Sequence, residues 1–455
     1  MFRTVGERTT VGPAARNAGR RTRKSSIDLL GVLGKQKDQD GSQTSKAAEK
    51  RGVMQLSIDM PLLLVVITLV IFGLIMVYSA SYDFSLRNDG DSNFIFSRQL
   101  LWLALGLAGA LFLTYVDYHY WRQLAVPAIM ITIASLIGVL LVNEIRNNAA
   151  RTLYEGSVQP SELAKLIIVI YLAVWLYARK DQLSDLSFGL VPLGIILGVL
   201  GSLILLQPDL SAVVTVVFLG GLMFFLAGGD LRQIGILLVL AVLVGVIAYK
   251  IYPTGKARID DYFLGLKDPT QGSYHVVRSF DAFVKGGWFG VGIGKGETKL
   301  TGLPVPHTDS IFAVVGEETG LAGSLAVVCL YSVFLWRGMI ISRRAPDELG
   351  SLLAAGLSIW IATEAFINMA VMVNILPFAG NALPLISAGG SNLTVTLAAV
   401  GILLNISRLS RQRRDDNGKS FNAVVSLRGR NGGRRVSGAR RTANYAGRVS
   451  KRTRS

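Results

Sequence analysis

Ten long apolar stretches dominate this chain and restrict it to folds that a lipid bilayer can accommodate. They are read at about residues 60–80, 100–116, 123–142, 162–178, 188–206, 210–227, 231–251, 309–336, 349–374 and 388–407. With a rise of about 1.5 Å per helical residue, such stretches have the length that a membrane crossing needs. A chain that is 51% hydrophobic and only 17% charged agrees with this reading. The sequence predicts an all-α polytopic membrane protein with ten transmembrane helices.

Basic residues are concentrated in the two tails. Residues 1–59 hold 12 Lys and Arg against 6 Asp and Glu, and residues 408–455 hold 15 against 2. Because basic flanks mark the cytoplasmic side of a membrane protein, both termini are predicted to be cytoplasmic, which requires an even number of spans. Few large apolar residues occur in either tail, which favours disorder. We therefore predict disordered tails at 1–57 and 409–455 around a membrane domain at 58–408.

The basic tails raise the question of nucleic acid. Residues 428–435 read Arg-Gly-Arg-Asn-Gly-Gly-Arg-Arg, which is similar to an RNA-binding tract. Attraction to anionic headgroups, worth about 1 kcal/mol for each basic residue near the surface, explains the same charge. Membrane lipids are the favoured partner, and nucleic acid binding is not expected.

The longest connection, at about residues 252–308, is predicted to be a large extracytoplasmic loop between the seventh and eighth helices. It carries several cations, including Arg258 and Lys295, together with a similar set of carboxylates. Capture of an anionic substrate and mutual pairing within the loop explain these charges equally well. Its glycine-rich stretch at 286–296 lacks the spacing of a Walker A loop, so a tight turn anchored on the membrane by Trp288 and Phe289 is favoured over nucleotide binding.

Asp309 stands where this loop meets the eighth apolar stretch. Ionisable groups at a membrane boundary tend to face a cavity, a partner or a substrate, because burial of their charge in lipid costs free energy. Asp is also a good helix cap. Asp309 is therefore interpreted either as a functional carboxylate or as a helix cap.

Other polar residues begin or interrupt the apolar stretches. Gln159-Pro-Ser-Glu-Leu-Ala-Lys165 has the form of a helix start, and Lys165 requires an anion, which either Glu162 or a substrate phosphate could supply. Asp209 follows Pro208 in a turn predicted on the same side as Asp309. Glu364 and Asn368 share one helix face and are predicted to hydrogen-bond to each other.

Five of these segments, in this order, resemble motifs of the SEDS family of bacterial membrane proteins, which comprises FtsW, RodA and SpoVE. The motifs are Gln159-Pro-Ser-Glu-Leu-Ala-Lys165, Gln207-Pro-Asp209, Gly287-Trp-Phe-Gly-Val-Gly-Ile-Gly294, His307-Thr-Asp309 followed by Phe312-Ala-Val-Val-Gly-Glu-Glu318, and Ser387-Ala-Gly-Gly-Ser391. The Gly-Glu-Glu element and the basic tails are more similar to the division members than to the elongation members.

The chain departs from the family pattern in three places. Ala388 stands where Tyr is usual, and Ser310 stands where Phe is usual. The segment that reads Asn148-Ala-Ala-Arg151-Thr-Leu lacks an expected Trp, so only Arg151 is carried over from it.

The resemblance implies a bundle similar to GT-C glycosyltransferases and an enzyme that polymerises lipid II into glycan strands outside the plasma membrane. It also implies a class B penicillin-binding protein as the crosslinking partner, with other division proteins at the septum. Asp309 matches the essential aspartate of the family. The residues predicted to bind substrate are Arg151, Gln159, Lys165, Asp209, Arg258, Lys295, His307 and Ser391.

The implied reaction inverts an anomeric carbon, so it needs a base for the attacking hydroxyl and positive charge on the departing diphosphate. Asp309 suits the first role, and Arg151, Lys165, Arg258 or Lys295 suits the second. No tightly bound cofactor or metal site is predicted, although Mg²⁺ or Mn²⁺ carried by the diphosphate would fit the chemistry, with Asp309 as a possible ligand. The alternatives are a lipid II flippase, a RodA-type elongation polymerase and an inert scaffold.

Overall fold

The protein is all-helical in the part that its computed structural model describes, residues 58–142, 159–207 and 209–430, where no β-strand occurs. Twelve α-helices follow one another there: α1 (Met60–Asp89), α2 (Phe94–Tyr115), α3 (Trp121–Val142), α4 (Pro160–Arg179), α5 (Val191–Leu206), α6 (Leu210–Leu226), α7 (Leu231–Ile251), α8 (Pro253–Lys267), α9 (Tyr274–Gly286), α10 (Ile311–Arg344), α11 (Glu348–Met372) and α12 (Gly390–Arg430). The predicted all-α class is confirmed.

All ten predicted apolar stretches are helical. Nine of the described helices, α1 to α5, α7 and α10 to α12, are long and apolar enough to cross a membrane, α5 when it is taken together with the helical turn Leu186–Leu190 that precedes it. The remaining stretch forms α6, which has 17 residues and a length of about 26 Å. That length lies at the lower limit for a span, so the count of ten spans stays a prediction. The chain is a multi-pass membrane protein.

Local sequence explains where several of these helices begin. The side chain of Asp59 accepts a hydrogen bond of 3.1 Å from the backbone N–H of Leu62 at the start of α1. Asp347 does the same for Gly350 in α11, at 2.8 Å. Pro160 opens α4, where its missing N–H costs nothing. These residues satisfy or remove backbone donors that a helix start leaves unpaired.

The connection at 252–308 is more ordered than the predicted loop. Two helices, α8 and α9, occupy half of it, and neither is long enough to span a membrane. The glycine-rich stretch at 286–296, called the glycine loop below, follows α9. Trp288 and Phe289 in this loop are 71% and 86% exposed, as the predicted anchoring role requires.

The glycine loop is hydrogen-bonded into a break in α10. Gly320 has a φ of 68° and interrupts the helix. The carbonyl of Glu317 accepts from the N–H of Val291 at 3.0 Å, and the N–H of Leu321 donates to Gly287 at 2.9 Å. A β-carbon on Gly320 would lie 2.4 Å from the backbone nitrogen of Gly290. The loop therefore supplies partners for backbone groups that the break in the helix would leave unpaired.

The centre of the bundle is formed by α4, α11 and α12, whose side chains are mostly buried, whereas α7 is exposed along nearly its whole length. Helix α12 continues to Arg430, which differs from the disorder predicted to begin at residue 409. Residues 1–57 and 431–455, which hold the rest of the predicted tails, lie outside the described residues.

Polar contacts also join the helices at the end of the bundle opposite Asp309. The hydroxyl of Tyr118 donates to Asp347 at 2.7 Å, and His119 Nε2 lies 2.9 Å from the second carboxylate oxygen of Asp347. The buried Asn405 of α12 donates to the carbonyl of Thr114 at 2.8 Å. These bonds hold α2, α11 and α12 together far from the candidate site.

Candidate functional site

Asp309 lies in the turn that leads into α10, and its side chain is partly exposed. Its backbone carbonyl accepts a hydrogen bond of 2.9 Å from Nδ2 of Asn368 on α11. The same Nδ2 donates to the carbonyl of Asn381 at 2.5 Å. A β-carbon built on Gly380 would lie 2.9 Å from Oδ2 of Asp309. The connection between α11 and α12 therefore lies directly against the carboxylate.

An aromatic and cationic group borders Asp309 through its neighbour Ser310. The Oγ of Ser310 lies 3.2 Å from Nδ1 of His275 on α9. The His275 ring stacks on Phe378, with ring centroids 4.1 Å apart. The guanidinium of Arg258, on α8, lies 5.5 Å from the centroid of Phe378. Arg258, a predicted substrate-binding residue, is thus brought close to the segment that covers Asp309.

The imidazole of His275 is neutral at neutral pH. Burial, and secondarily the positive charge of Arg258, lowers the pKa of His275 to about 4. A neutral ring can stack on Phe378 beside a guanidinium without charge repulsion. His275 therefore contributes a hydrogen-bonding surface to this region rather than a second cation.

His307 is held between α1 and the connection that leads to α12. Its carbonyl accepts from the N–H of Ala388 at 2.8 Å, and its buried ring lies against Phe84, with centroids 4.6 Å apart. The hydroxyl of Ser387 donates to the carbonyl of Thr308 at 2.7 Å. Two of the sequence motifs that were singled out, at 307–309 and 387–391, are therefore in direct contact.

Three further predicted residues meet where α4, α6 and α12 begin. The backbone N–H of Gln159 donates to Oγ of Ser391 at 3.2 Å. The side-chain amide of Gln159 donates to Asp209 at 3.2 Å. Asp209 also accepts from the N–H of Ala212 and so caps α6. Gln159, Asp209 and Ser391 form one hydrogen-bonded group, although residues 50 and 232 apart in sequence must meet to make it.

Lys165 is buried in an ion-pair triad. Its ammonium lies 2.9 Å from Glu162 and is also bonded to Glu364 of α11. Asn392 donates to Oε2 of Glu162 at 2.9 Å. The predicted hydrogen bond between Glu364 and Asn368 does not form, because each has a partner on another segment: Glu364 bonds to Lys165, and Asn368 bonds to the two backbone carbonyls. Lys165 already has two carboxylate partners.

The remaining two predicted residues are not placed at this site. Lys295 is exposed in the glycine loop, where its N–H donates to the carbonyl of Gly292 at 3.1 Å. Arg151 lies outside the described residues. Their predicted contact with a diphosphate stays a prediction.

The structure adds residues that the sequence did not single out. His275 had one available signal, since the chain holds only three histidines. Phe378 and Gly380 lie in an irregular segment without periodicity, and nothing in the sequence marks either. The sequence marked Ser310 only as a departure from the family pattern. In the structure its hydroxyl lies within hydrogen-bond distance of His275.

Within residues 58–142, 159–207 and 209–430, no group of three or more His, Cys, Asp or Glu side chains is arranged to hold a metal ion. A cation that arrives with a diphosphate needs no such group, since Mg²⁺ is commonly bound by one or two carboxylates together with substrate phosphates. The involvement of Mg²⁺ or Mn²⁺ stays a prediction.

An apolar groove of about 670 Å³ lies between α9, α10 and α11. It is lined by Phe283, Trp288, Phe312, Leu325, Phe366 and Met369, among others. Phe312 lies less than one helical turn from Asp309, and Met369 directly follows Asn368. A nonpolar surface therefore continues from the vicinity of the carboxylate along the membrane-spanning helices.

Comparison with known proteins agrees with this arrangement. Residues 60–412 match the cell cycle protein family of FtsW, RodA and SpoVE. The chain is 37% identical over 355 residues to a probable peptidoglycan glycosyltransferase FtsW of Trichlorobacter lovleyi, which covers 77% of this chain and 93% of the relative. It is 38% identical over 359 residues to stage V sporulation protein E of Bacillus subtilis, with 77% and 97% covered.

Solved structures resemble the chain over a similar length. One is a chain of a peptidoglycan synthase complex that coordinates polymerization and crosslinking, with a TM-score of 0.65, 27% identity, and 78% of this chain and 98% of that chain covered. Another is the rod shape determining protein RodA of Thermus thermophilus, with a TM-score of 0.58, 26% identity, and 78% and 98% covered. This chain is a member of the FtsW, RodA and SpoVE family of cell cycle proteins, the SEDS family that its motifs resemble.

Proposed function

We infer that this protein is a peptidoglycan glycosyltransferase that polymerises lipid II into glycan strands by inverting β-1,4 transfer. The observation that carries this inference is the placement of Asp309. Its partly exposed carboxylate lies in the turn before α10. The next residue, Ser310, contacts His275, whose ring stacks on Phe378 beside Arg258, and Phe312, three residues after Asp309, lines the apolar groove. An amphiphilic substrate with a sugar, a diphosphate and a lipid chain requires polar and nonpolar surfaces that adjoin in this way.

Asp309 acts in this proposal as the base that takes the proton from the attacking 4-hydroxyl of the acceptor sugar. A positioned base typically contributes about 10²- to 10⁴-fold to a rate. The leaving diphosphate is stabilised by positive charge, which we assign to Arg258 because its guanidinium lies over Phe378, the ring that stacks on His275. Lys165 contributes less directly, because Glu162 and Glu364 already neutralise its charge.

The proposed partner is a class B penicillin-binding protein that crosslinks the new strands, with other divisome proteins at the septum of a bacterial plasma membrane and both termini in the cytoplasm. Similarity to a chain of a peptidoglycan synthase complex supports the first point, and similarity to FtsW supports a role in division. A tagged copy that localises to the side wall instead of midcell would assign the protein to elongation.

Polymerisation is tested with the purified full chain, its transpeptidase partner and lipid II. We expect wild-type protein to produce glycan strands and Asp309→Ala to produce none. Asp281→Asn, in the same connection but with a side chain that is 48% exposed, is the matched control and should polymerise normally. Glycan made by Asp309→Ala at the wild-type rate would refute the assignment of the base.

The second candidate function, lipid II flipping, is favoured by the buried charged triad around Lys165, because charged groups inside a bundle often mark a transport path. Proteoliposomes that contain fluorescent lipid II distinguish the two functions. Movement of lipid II across the bilayer without joining of sugars would establish transport, whereas chain formation without movement would exclude it as the main activity.

A further inference from the structure

Asp309 is contacted by two residues that the reaction scheme above does not use. Asn368 contacts its backbone, and Gly380 lies against its carboxylate. Both belong to the last third of the chain, and neither belongs to the motif that contains Asp309. A carboxylate that must meet a sugar hydroxyl benefits from such constraint, because reacting groups have to be aligned before proton transfer.

Asn368 uses its side-chain nitrogen as a bridge between two backbone carbonyls. Nδ2 donates to the carbonyls of Asp309 and Asn381, at 2.9 Å and 2.5 Å. The residue is fully buried, and its Oδ1 has no hydrogen-bond partner among the described residues. An unpaired buried acceptor costs free energy. Asn368 therefore makes both Nδ2 hydrogen bonds although its Oδ1 is left without a partner. This cost indicates that the link between the two backbone carbonyls is important for the site.

Gly380 leaves room for the carboxylate. A β-carbon there would lie 2.9 Å from Oδ2 of Asp309, closer than real contacts of a β-carbon allow, and 3.8 Å from the Asp309 Cγ. The backbone of Gly380 is not in the left-handed region that favours glycine. A side chain at position 380 would therefore push against the Asp309 carboxylate, which lies at the end of a rotatable side chain and would have to turn away.

We propose that Asn368 and Gly380 are positioning residues that together fix the direction of the Asp309 carboxylate. Asn368 sets the distance between the turn before α10 and the segment after α11, and the bare α-carbon of Gly380 sets how far the carboxylate can turn. This inference rests on the proposed role of Asp309 as the base. Displacement of a reacting group by about 1 Å can cost on the order of 10²-fold in rate.

The test compares two pairs of variants in lipid II polymerisation by the full chain with its partner. Gly380→Ala adds one methyl group against Asp309, whereas Gly201→Ala adds the same group at a buried position of α5, where its nearest neighbour is Val213 at an ordinary 3.8 Å. We expect Gly380→Ala to lower kcat by about 10- to 100-fold with KM little changed. Gly201→Ala should keep both values.

The second pair separates positioning from general stability. Asn368→Ala and Asn405→Ala each remove a fully buried amide that donates to a backbone carbonyl, and thermal unfolding in detergent is measured for both. We expect the two variants to lose similar thermal stability and only Asn368→Ala to lose kcat.

Two results would overturn the inference: wild-type kcat in Gly380→Ala, or an equal loss of kcat in Asn368→Ala and Asn405→Ala. Failure of the proposed function is recognised separately, by activity that survives in Asp309→Ala. If Asn368→Ala does not fold, the glycine pair alone decides.

Discussion

Lys299 and Glu318 form a buried ion pair, with Nζ 2.7 Å from Oε1 and the two side chains only 4% and 0% exposed. Ser79 of α1 completes the group, because its hydroxyl donates to Glu318 at 2.6 Å and its carbonyl accepts from Lys299 at 2.9 Å. The N–H of Gly294 in the glycine loop donates to the same carboxylate at 2.9 Å. One carboxylate therefore joins α1, α10 and the connection that leads to Asp309.

Removal of Lys299 should destabilise the protein strongly. Lys299→Met leaves the Glu318 carboxylate charged and buried, and loss of one partner of a buried pair costs about 3–5 kcal/mol. The thermal unfolding midpoint in detergent should fall, and a second change, Glu318→Gln, should restore most of the loss. Lys285→Met removes a cation from an exposed pair with Glu297 and is the control, with an expected cost of about 0–1 kcal/mol. Equal effects of the two lysine changes would contradict the prediction.

Glu317 is expected to order the segment after the glycine loop. Its carboxylate accepts hydrogen bonds from the N–H groups of Glu297 and Thr298 and from the Thr298 hydroxyl, at 2.9 to 3.0 Å. Glu317→Ala leaves these donors unpaired, at about 1–3 kcal/mol for each group that stays buried. Hydrogen exchange at the amides of residues 297 and 298 should accelerate. Glu297→Ala, which removes a side chain that is 73% exposed, should leave that exchange slow; if both changes accelerate it equally, Glu317 does not have this role.

Lys165 provides a test that separates structure from substrate binding. Lys165→Met leaves Glu162 and Glu364 buried together without their cation, so we expect a loss of about 3–5 kcal/mol and poor recovery of folded protein. Lys165→Met combined with Glu364→Gln should fold better, as judged by size-exclusion chromatography and thermal unfolding. Polymerisation by the folded double variant with a wild-type KM for lipid II would show that Lys165 acts through the triad. A folded double variant that still polymerises, but with a raised KM for lipid II, would instead support contact with the diphosphate.

Stability should depend on pH through His275. Its ordinary pKa is about 6.5, and the folded protein lowers this pKa to about 4. Between these values the unfolded chain binds a proton that the folded chain does not, so the contribution of His275 to stability is lost as the pH falls through this window. His275→Gln should therefore show a smaller decrease in the unfolding midpoint than wild type between about pH 7.5 and about pH 5. Parallel decreases in the two proteins would contradict the assignment.

The sequence predicted the helices well because each apolar stretch carries its own signal. It missed α8 and α9, since both lie in a connection that is polar on average. In the fold, α9 packs against α10 and α11, and α8 packs against α7 and the connection after α11. Ion pairs, likewise, were predictable only where the two partners are close in sequence. The bond from Lys165 to Glu162, three residues away, was an option visible in the sequence, whereas the bond to Glu364, 199 residues away, required the fold.

The candidate site was predictable only in part for a related reason. Asp309 stood out because a carboxylate at the edge of an apolar stretch is unusual. Gly380 and Phe378 do not differ in this way from the residues around them in the sequence. Their importance comes from the side chains that they contact in the fold, Asp309 and His275. The prediction of a bond between Glu364 and Asn368 was wrong. Helical spacing shows that two side chains are close, but it does not show that each has a competing partner on another segment.

The reciprocal hydrogen bonds between the glycine loop and α10 have a consequence for how this region tolerates change. They join main-chain atoms, from Glu317 to Val291 and from Gly287 to Leu321. Outward-facing side chains such as Trp288 and Phe289 can therefore be replaced without breaking the junction. A deletion or insertion of a single residue would shift these donors away from their acceptors, so homologues should keep the length of this segment constant.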